Sequence, residues 1–112
     1  MYIYKILRAP EWAEFQVMGV THGVPVDISD GFIHFSTAAQ LGGTARRHFG
    51  GNTDLMLVCV EANRLGSGLV WEVSRGNALF PHLYAPLQLS DIVWARPVLT
   101  GPDGHVMPEG VT

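Results

Sequence analysis

The stretch DGFIHFST, residues 30–37, joins the two kinds of secondary structure on which the predicted fold depends. Its central part is apolar and aromatic and has the length of a buried strand. Thr37 followed by Gln40 matches a reciprocal capping pattern, so we expect a helix to begin directly after the strand and to run to about Phe49. His34 stands within the predicted strand, and this position is open to two interpretations, a packed core histidine or a functional side chain.

The segments before this unit predict a strand, a helix and a loop. Residues 2–7 are rich in aromatic and β-branched side chains, which favours a strand. The apolar residues Trp12, Phe15 and Met18 recur at three-residue spacing, which predicts an amphipathic helix. Residues 20–29 contain glycine, proline and polar side chains, so we expect a loop there.

Four later segments predict further strands. Residues 55–61 form a nearly continuous apolar run, which is typical of a central strand covered on both faces. Residues 69–73 and 91–99 also have strand composition. Residues 80–84 contain Pro81, which favours an edge strand or an extended loop because proline donates no backbone hydrogen bond.

The order of these elements predicts an α+β fold with about two helices. Strands and helices do not alternate regularly, as they do in parallel α/β sheets. A chain of 112 residues has the length of one domain. We therefore expect a single domain over residues 1–100 and a loosely attached tail over residues 101–112, where glycine and proline recur.

The composition excludes several classes of function. The net charge of −3 makes nucleic-acid binding unfavourable, and no apolar run reaches the ~18 residues of a membrane helix. No secretion signal is recognisable at the start of the sequence, so a cytoplasmic location is expected. The only cysteine, Cys59, lies in an apolar run and is expected to be structural. The basic cluster Arg46-Arg47-His48 is expected to be a solvated helix face.

Several polar side chains are candidates for one site. Glu72 is the only charged residue in an apolar strand, so its carboxylate either faces solvent at a sheet edge or finds partners in a cleft. The five histidines show no metal-ligand spacing, so no metal site is predicted. The candidates for lining a common cleft are His34, Ser36, Thr37, Glu72, Ser74, Arg75, His82 and Tyr84.

The chain also resembles a known family. It carries, in this order, the strings FIHFST, TARRHFGG, DLMLV, WEVSRG and FPHLYAPL, and the resemblance extends from Tyr2 to about Val98. With these strings it resembles a small bacterial domain-of-unknown-function family, number 952. The resemblance implies an ADP-ribosyltransferase-like fold with a split β-sheet. It also implies a distant similarity to the RNA 2'-phosphotransferases, although the arginines with which those enzymes hold a 2'-phosphate are missing.

The resemblance implies roles for individual residues around NAD as cofactor. His34 matches a histidine that contacts the adenosine ribose, and Ser36 the hydroxyl beside it. Either Tyr84 or Trp71 matches the aromatic side chain that stacks on nicotinamide, and Glu72 is similar in type to the acidic residue of the third motif. The implied catalytic residues are His34, Glu72 and Tyr84. The implied cofactor-binding residues are His34, Ser36, Thr37, Trp71, Ser74, Arg75 and His82.

The expected function is therefore binding of NAD or a related ADP-ribose ligand, with ADP-ribosyl transfer as an implied activity. In such a transfer C1 of the nicotinamide ribose gains cationic character as the base leaves, and a carboxylate stabilises that state. The alternative is a non-catalytic module that binds another nucleotide or a protein partner, in which His34 and Tyr84 only pack the sheet. The sequence does not indicate an oligomeric state.

Overall fold

The computed structural model of the protein describes all residues, Met1–Thr112, and combines helices with antiparallel sheets. The helices are α1 (Ala9–Met18), α2 (Pro25–Asp30) and α3 (Ala38–Phe49). The strands are β1 (Tyr2–Arg8), β2 (Val20–Thr21), β3 (Ile33–His34), β4 (Leu55–Glu61), β5 (Leu69–Val73), β6 (Leu79–Leu83), β7 (Leu87–Gln88), β8 (Ile92–Gly101) and β9 (Gly104–Val106).

The larger sheet has the order β1-β4-β8-β9 and is covered on both faces. Side chains alternate along β1, so Ile3 and Leu7 pack with Phe15 of α1 on one face. Tyr4 packs on the other face with Leu41 of α3. This double coverage explains why β4, predicted as a central strand from its continuous apolar run, lies between β1 and β8.

The smaller sheet has the order β3-β6-β5 and meets the larger one at a single bridge. The backbone N–H groups of Tyr4 and Ser36 each donate to the other residue's carbonyl oxygen at 2.8 Å. The expected edge position of residues 80–84 is wrong, because β6 is the central strand of this sheet. Pro81 fits there because its missing donor lies where β3 ends, while its carbonyl still accepts from Phe35 at 3.0 Å.

The loop expected over residues 20–29 is also wrong in part, because it contains β2 and the short helix α2. The first turn of α2 is closed by Asp27, whose Oδ2 accepts from the backbone N–H of Val24 at 2.9 Å. The helix ends at Gly31, which has φ 88° and so adopts a conformation that favours glycine. The protein therefore has three α-helices rather than about two.

The local signals around α3 are confirmed. The Thr37 hydroxyl accepts from the backbone N–H of Gln40 at 3.2 Å, and the Gln40 side chain accepts from the N–H of Thr37 at 3.0 Å. None of the helices has the length and apolar character that crossing a bilayer requires.

The last residues return to the larger sheet. The predicted last strand continues to Gly101, turns, and pairs with β9. The Tyr4 hydroxyl accepts from the backbone N–H of Thr112 at 2.9 Å, and Arg96 donates to the carbonyl of Glu109 at 2.6 Å. These contacts place the end of the chain against α3's side of the sheet, where Met107 and Val111 pack on the core.

Candidate functional site

A cavity of about 610 Å³ lies along the free edge of β1, where the two sheets diverge beyond the Tyr4–Ser36 bridge. Its walls come from β1, β3, β6, all three helices and the turn after β5. Four of the predicted site residues line it, namely His34, Ser36, Ser74 and Arg75. The sheet edge is open here because β1 has a strand partner on one side only.

Beneath this cavity lies a buried ionic centre around Asp27. Its carboxylate is fully buried, with Oδ2 at 2.8 Å from Nζ of Lys5 and Oδ1 at 2.6 Å from Nδ1 of His34. Lys5 also donates to the carbonyl oxygen of His34 at 3.0 Å. Burial alone would raise the pKa of Asp27, but the hydrogen bond from His34 and the charge of Lys5 lower it to about 2. Burial lowers the pKa of Lys5, and the neighbouring carboxylate opposes that change.

The His34 ring is held by carboxylates at both nitrogens. Nδ1 faces Asp27, and Nε2 lies 3.0 Å from Oδ2 of Asp30 at the end of α2. About a third of the His34 side chain is exposed, so the ring is both fixed by buried partners and accessible from solvent.

On the opposite wall a hydroxyl pair and an arginine face the cavity. Oγ of Ser36 lies 2.7 Å from Oγ1 of Thr44, and Arg75 donates to the same Thr44 oxygen at 3.3 Å. The Arg75 guanidinium also lies 5.0 Å above the ring centre of Phe80. No carboxylate lies within salt-bridge distance of Arg75. The guanidinium is therefore positioned without being neutralised.

Three further predicted residues, Glu72, His82 and Tyr84, form a second group. Strand pairing places Glu72, His82 and His34 on one face of β5, β6 and β3. Oε1 of Glu72 accepts from Tyr84 at 2.7 Å and lies 2.8 Å from Nδ1 of His82. Hydrogen bonds from Tyr84 and His82 lower the pKa of Glu72, and the bond to Glu72 raises that of Tyr84. Phe32 stacks on His82 with ring centres 4.1 Å apart, so it covers this group.

The two groups are neighbours, but the structure does not open both onto one cavity. Glu72, His82 and Tyr84 are not among the residues lining the 610 Å³ cavity. Tyr84 instead borders a smaller pocket of about 330 Å³ with Phe32. The His34 and His82 ring centres are 5.3 Å apart, so His34 connects the two groups.

Two other predicted residues lie apart from both groups. Thr37 caps α3 through its hydroxyl and does not line the cavity. Trp71 pairs with Pro81 and faces the opposite side of the sheet from His34. Of the two candidates for a stacking aromatic, only Tyr84 lies near His34 in the structure, through Phe32.

Sequence reasoning missed the partners that fix His34. Lys5 is the only charged residue within the apolar part of β1, which is a signal that it has a buried partner. Asp27 carried no such signal, because its segment was expected to be a loop. Phe32 was read as part of a buried strand, although it precedes β3 and covers His82.

The cavity has an excess of positive charge, although the chain as a whole is acidic. Asp27 is neutralised by Lys5, and Glu11 lies 3.8 Å from Arg8. These are the only acidic residues of the lining. Arg75 and the exposed His48 therefore have no acidic partner in the cavity. Partial burial and the charges of Arg75 and Arg47 lower the pKa of His48. Such a lining favours an anionic small molecule.

The side chains do not gather into a metal centre, since nowhere do three or more His, Cys, Asp or Glu residues cluster suitably. The chemistry that the site does offer is hydrogen bonding from the Ser36 and Thr44 hydroxyls, charge from Arg75, the partly exposed ring of His34, and an apolar wall that includes Ile6 and Phe80. A cavity of this size with few converging polar groups is typical of small-molecule sites.

Comparison with known proteins gives a family and a fold. The family model described as "Protein of unknown function (DUF952)" matches residues 6–95. A crystal structure of protein CC0527 from Caulobacter crescentus is 44% identical and covers 94% of this chain and 92% of its own, with a TM-score of 0.90. The solution structure of CC0527 is 44% identical, covers 93% and 90% of the two chains, and has a TM-score of 0.84. No curated protein matches the chain.

Proposed function

This chain belongs to the DUF952 family of proteins of unknown function, and we propose that its cavity binds NAD or a related ADP-ribose ligand. The observation that carries the proposal is the convergence of His34, Ser36 and an unneutralised Arg75 on one open cavity. An ADP-ribose ligand presents ribose hydroxyls and a diphosphate. The hydroxyls suit the Ser36 side chain and Nε2 of His34, which would exchange its exposed partner Asp30 for the ligand, and the diphosphate suits a guanidinium.

The size and the walls of the cavity support this proposal. Its volume of about 610 Å³ lies within the range of roughly 300–1,000 Å³ that small-molecule sites occupy. The apolar side chains Ile6, Leu41, Phe49 and Phe80 offer a surface against which a base or a sugar face can pack. The fixed orientation of His34 lowers the entropic cost of binding, because Asp27 holds the ring and Lys5 holds the backbone carbonyl before a ligand arrives.

The fold supports the same proposal. The four-stranded and three-stranded antiparallel sheets, whose backbones pair only at the Tyr4–Ser36 bridge, are compatible with the split sheet of ADP-ribosyltransferase-like proteins. The divergence of these sheets creates the cavity, and His34 and Ser36 stand at the point of divergence.

ADP-ribosyl transfer is a second candidate, and one observation favours it. Glu72 is on the same sheet face as His34, and its hydrogen bonds with Tyr84 and His82 lower its pKa, so the carboxylate is ionised at neutral pH. A carboxylate stabilises cationic character at the ribose C1. Since Glu72 does not line the cavity, the ligand would have to extend past Phe32 to reach it. Nicotinamide release from NAD, measured by chromatography with Glu72→Gln as the comparison, tests this activity.

Binding is tested by calorimetric titration of NAD and ADP-ribose at fixed salt concentration. We expect the Arg75→Gln variant to bind at least ~10-fold more weakly than the unmodified protein, because a charge-assisted hydrogen bond is lost. Arg64→Gln is the matched control, since Arg64 is an exposed arginine that does not line the cavity. If neither NAD nor ADP-ribose produces a binding signal at millimolar concentration, the result favours the alternative, a non-catalytic module for another nucleotide or a protein partner.

A further inference from the structure

Helix α3 contains a feature that its stability does not explain, the pair Gly42-Gly43 in its middle. Each glycine inside a helix costs ~1 kcal/mol relative to alanine. Neither glycine has a positive φ, so the backbone conformation does not require them. At Gly43 the space beside the helix offers a physical reason for a glycine.

That space is occupied by two guanidinium groups. A Cβ atom added to Gly43 would lie 3.1 Å from one terminal nitrogen, Nη2, of Arg75. The same atom would lie 3.9 Å from Nη2 of Arg46. Because both nitrogens are this close to one point, they are at most about 7 Å apart. The glycine at 43 thus lets the Arg75 guanidinium approach the helix surface beside Arg46.

The two positive charges are not compensated by protein groups. Neither Arg46 nor Arg75 has a carboxylate within salt-bridge distance. Arg75 donates only to neutral oxygens, the Thr44 hydroxyl and the carbonyl of Gln40. His48, on the next turn of the same helix, lines the adjoining cavity, but its lowered pKa leaves the positive charge there to the two arginines. Like charges that converge without a counter-ion repel each other, and an anion between them removes that repulsion.

We propose that Arg46 and Arg75, brought together over Gly43, form a subsite for a phosphoryl group at the edge of the cavity. The inference rests on the proposed function in that it names where the phosphate of the cavity's ligand binds. A phosphoryl group between the two guanidinium groups accepts hydrogen bonds from both at the ~2.8 Å typical of charged donors and acceptors. Residues 46–48 are exposed, as expected of a solvated helix face, and the proposal adds a binding role for Arg46.

The same chemistry is found in two kinds of ligand, a bridging diphosphate as in NAD and a terminal phosphate as in ADP. Inorganic pyrophosphate is the simplest probe of the subsite because it carries neither base nor ribose. Titration of the ¹⁵N-labelled protein at constant ionic strength is expected to shift the amide signals of residues 42–44 and of Arg75. Comparison of the affinities of NAD and ADP then distinguishes the two sources of the phosphate.

Charge variants test the two arginines. We expect Arg46→Gln and Arg75→Gln each to weaken pyrophosphate binding ~10-fold or more. The matched control is Arg47→Gln, which removes the same charge from the neighbouring position of α3 and is expected to change the affinity less than ~3-fold. Equal effects of Arg46→Gln and Arg47→Gln would overturn the subsite, because they would show a general field rather than a specific contact.

Glycine variants test the geometry without changing the charge. Gly43→Ala is expected to displace the Arg75 guanidinium and to weaken pyrophosphate binding, while thermal unfolding shows a folded protein. Gly42→Ala is the comparison, since a Cβ there would meet only Arg46 at an ordinary contact distance of 3.5 Å. Unchanged binding in Gly43→Ala would contradict the role given to this position.

The outcomes separate the subsite from the proposed function. If pyrophosphate and ADP bind through both arginines but NAD and ADP-ribose do not bind, the subsite is supported and the proposed function is wrong. If NAD binding is weakened by Arg75→Gln but is insensitive to Arg46→Gln and is not displaced by pyrophosphate, the subsite is overturned while the proposed function stands.

Discussion

Replacement of Asp27 by asparagine tests the buried ionic centre that holds His34. The substitution keeps the shape of the side chain and removes its charge. In the native protein the carboxylate is fully buried and contacts Lys5 at 2.8 Å and His34 Nδ1 at 2.6 Å. It also accepts from the backbone N–H groups of Val24 at 2.9 Å and His34 at 3.2 Å. The variant therefore leaves the Lys5 ammonium buried without a counter-charge.

The expected cost follows from these contacts. Removal of one partner of a buried ion pair costs ~3–5 kcal/mol, because the other charge is left uncompensated. The asparagine oxygen retains part of the hydrogen bonding, so we expect a loss of about 3 kcal/mol in the free energy of unfolding. Lys5→Met combined with Asp27→Asn is expected to cost less than the sum of the two single changes, because the variants remove the same interaction.

The pH dependence has a definite sign. The pKa of Asp27 is lowered from 3.8 to about 2 in the folded protein. Its stabilising contribution is therefore fully present above about pH 4 and is lost as the pH falls through 2. The difference corresponds to about 2 kcal/mol. The Asp27→Asn variant is expected to lack this part of the acid-induced loss of stability.

The assay is urea denaturation followed by circular dichroism, at neutral pH and at several pH values between 2 and 5. A loss below ~1 kcal/mol for Asp27→Asn at neutral pH would contradict this prediction, since it would mean that the buried Lys5 does not depend on the carboxylate. Strict additivity of the Lys5 and Asp27 changes would refute it as well.

Three further predictions concern other contacts. Tyr4→Phe is expected to lower stability by ~1 kcal/mol and to make the segment ending at Thr112 more sensitive to proteases, because its hydroxyl holds the last backbone N–H; equal cleavage rates would contradict this. Thr37→Ala is expected to cost ~1 kcal/mol in thermal unfolding by removing the cap of α3, and an unchanged melting temperature would count against the cap. Tyr84→Phe is expected to raise the pKa of Glu72, measured by carboxyl ¹³C NMR, since a hydrogen bond to the carboxylate is lost. An unchanged pKa would show that this hydrogen bond does not lower the pKa of Glu72.

Features encoded by neighbouring residues could be predicted from the sequence. The Thr37 and Gln40 pair specifies the start of α3 within four positions, and the continuous apolar run of β4 indicates a strand covered on both faces. Helix α2 could not be found in this way because six residues are too few for a periodic pattern. The central position of β6 could not be predicted from Pro81. Proline is tolerated there because β3 ends before the position opposite it, and the sequence around Pro81 does not indicate the length of β3.

The candidate site depends more on tertiary structure. His34, Ser36, Ser74 and Arg75 were predicted, and the structure brings them to one cavity. The separation of Glu72 and Tyr84 from that cavity depends on the position of Phe32 over His82, which no sequence pattern indicates. The pairing of Lys5 with Asp27 spans two elements that are distant in the chain. Contacts of this kind depend on how distant elements pack against each other, so the local sequence does not indicate them.

The most direct test of the ligand site is an amide NMR titration of the ¹⁵N-labelled protein with ADP-ribose at constant ionic strength. Binding in the cavity predicts saturable shifts at Ser36, Thr44 and Arg75, with little change at Arg64, which lies in the 3-10 segment Ala62–Gly68 and does not line the cavity. Shifts that are absent at millimolar ligand, or that map to residues outside the cavity, would contradict the account.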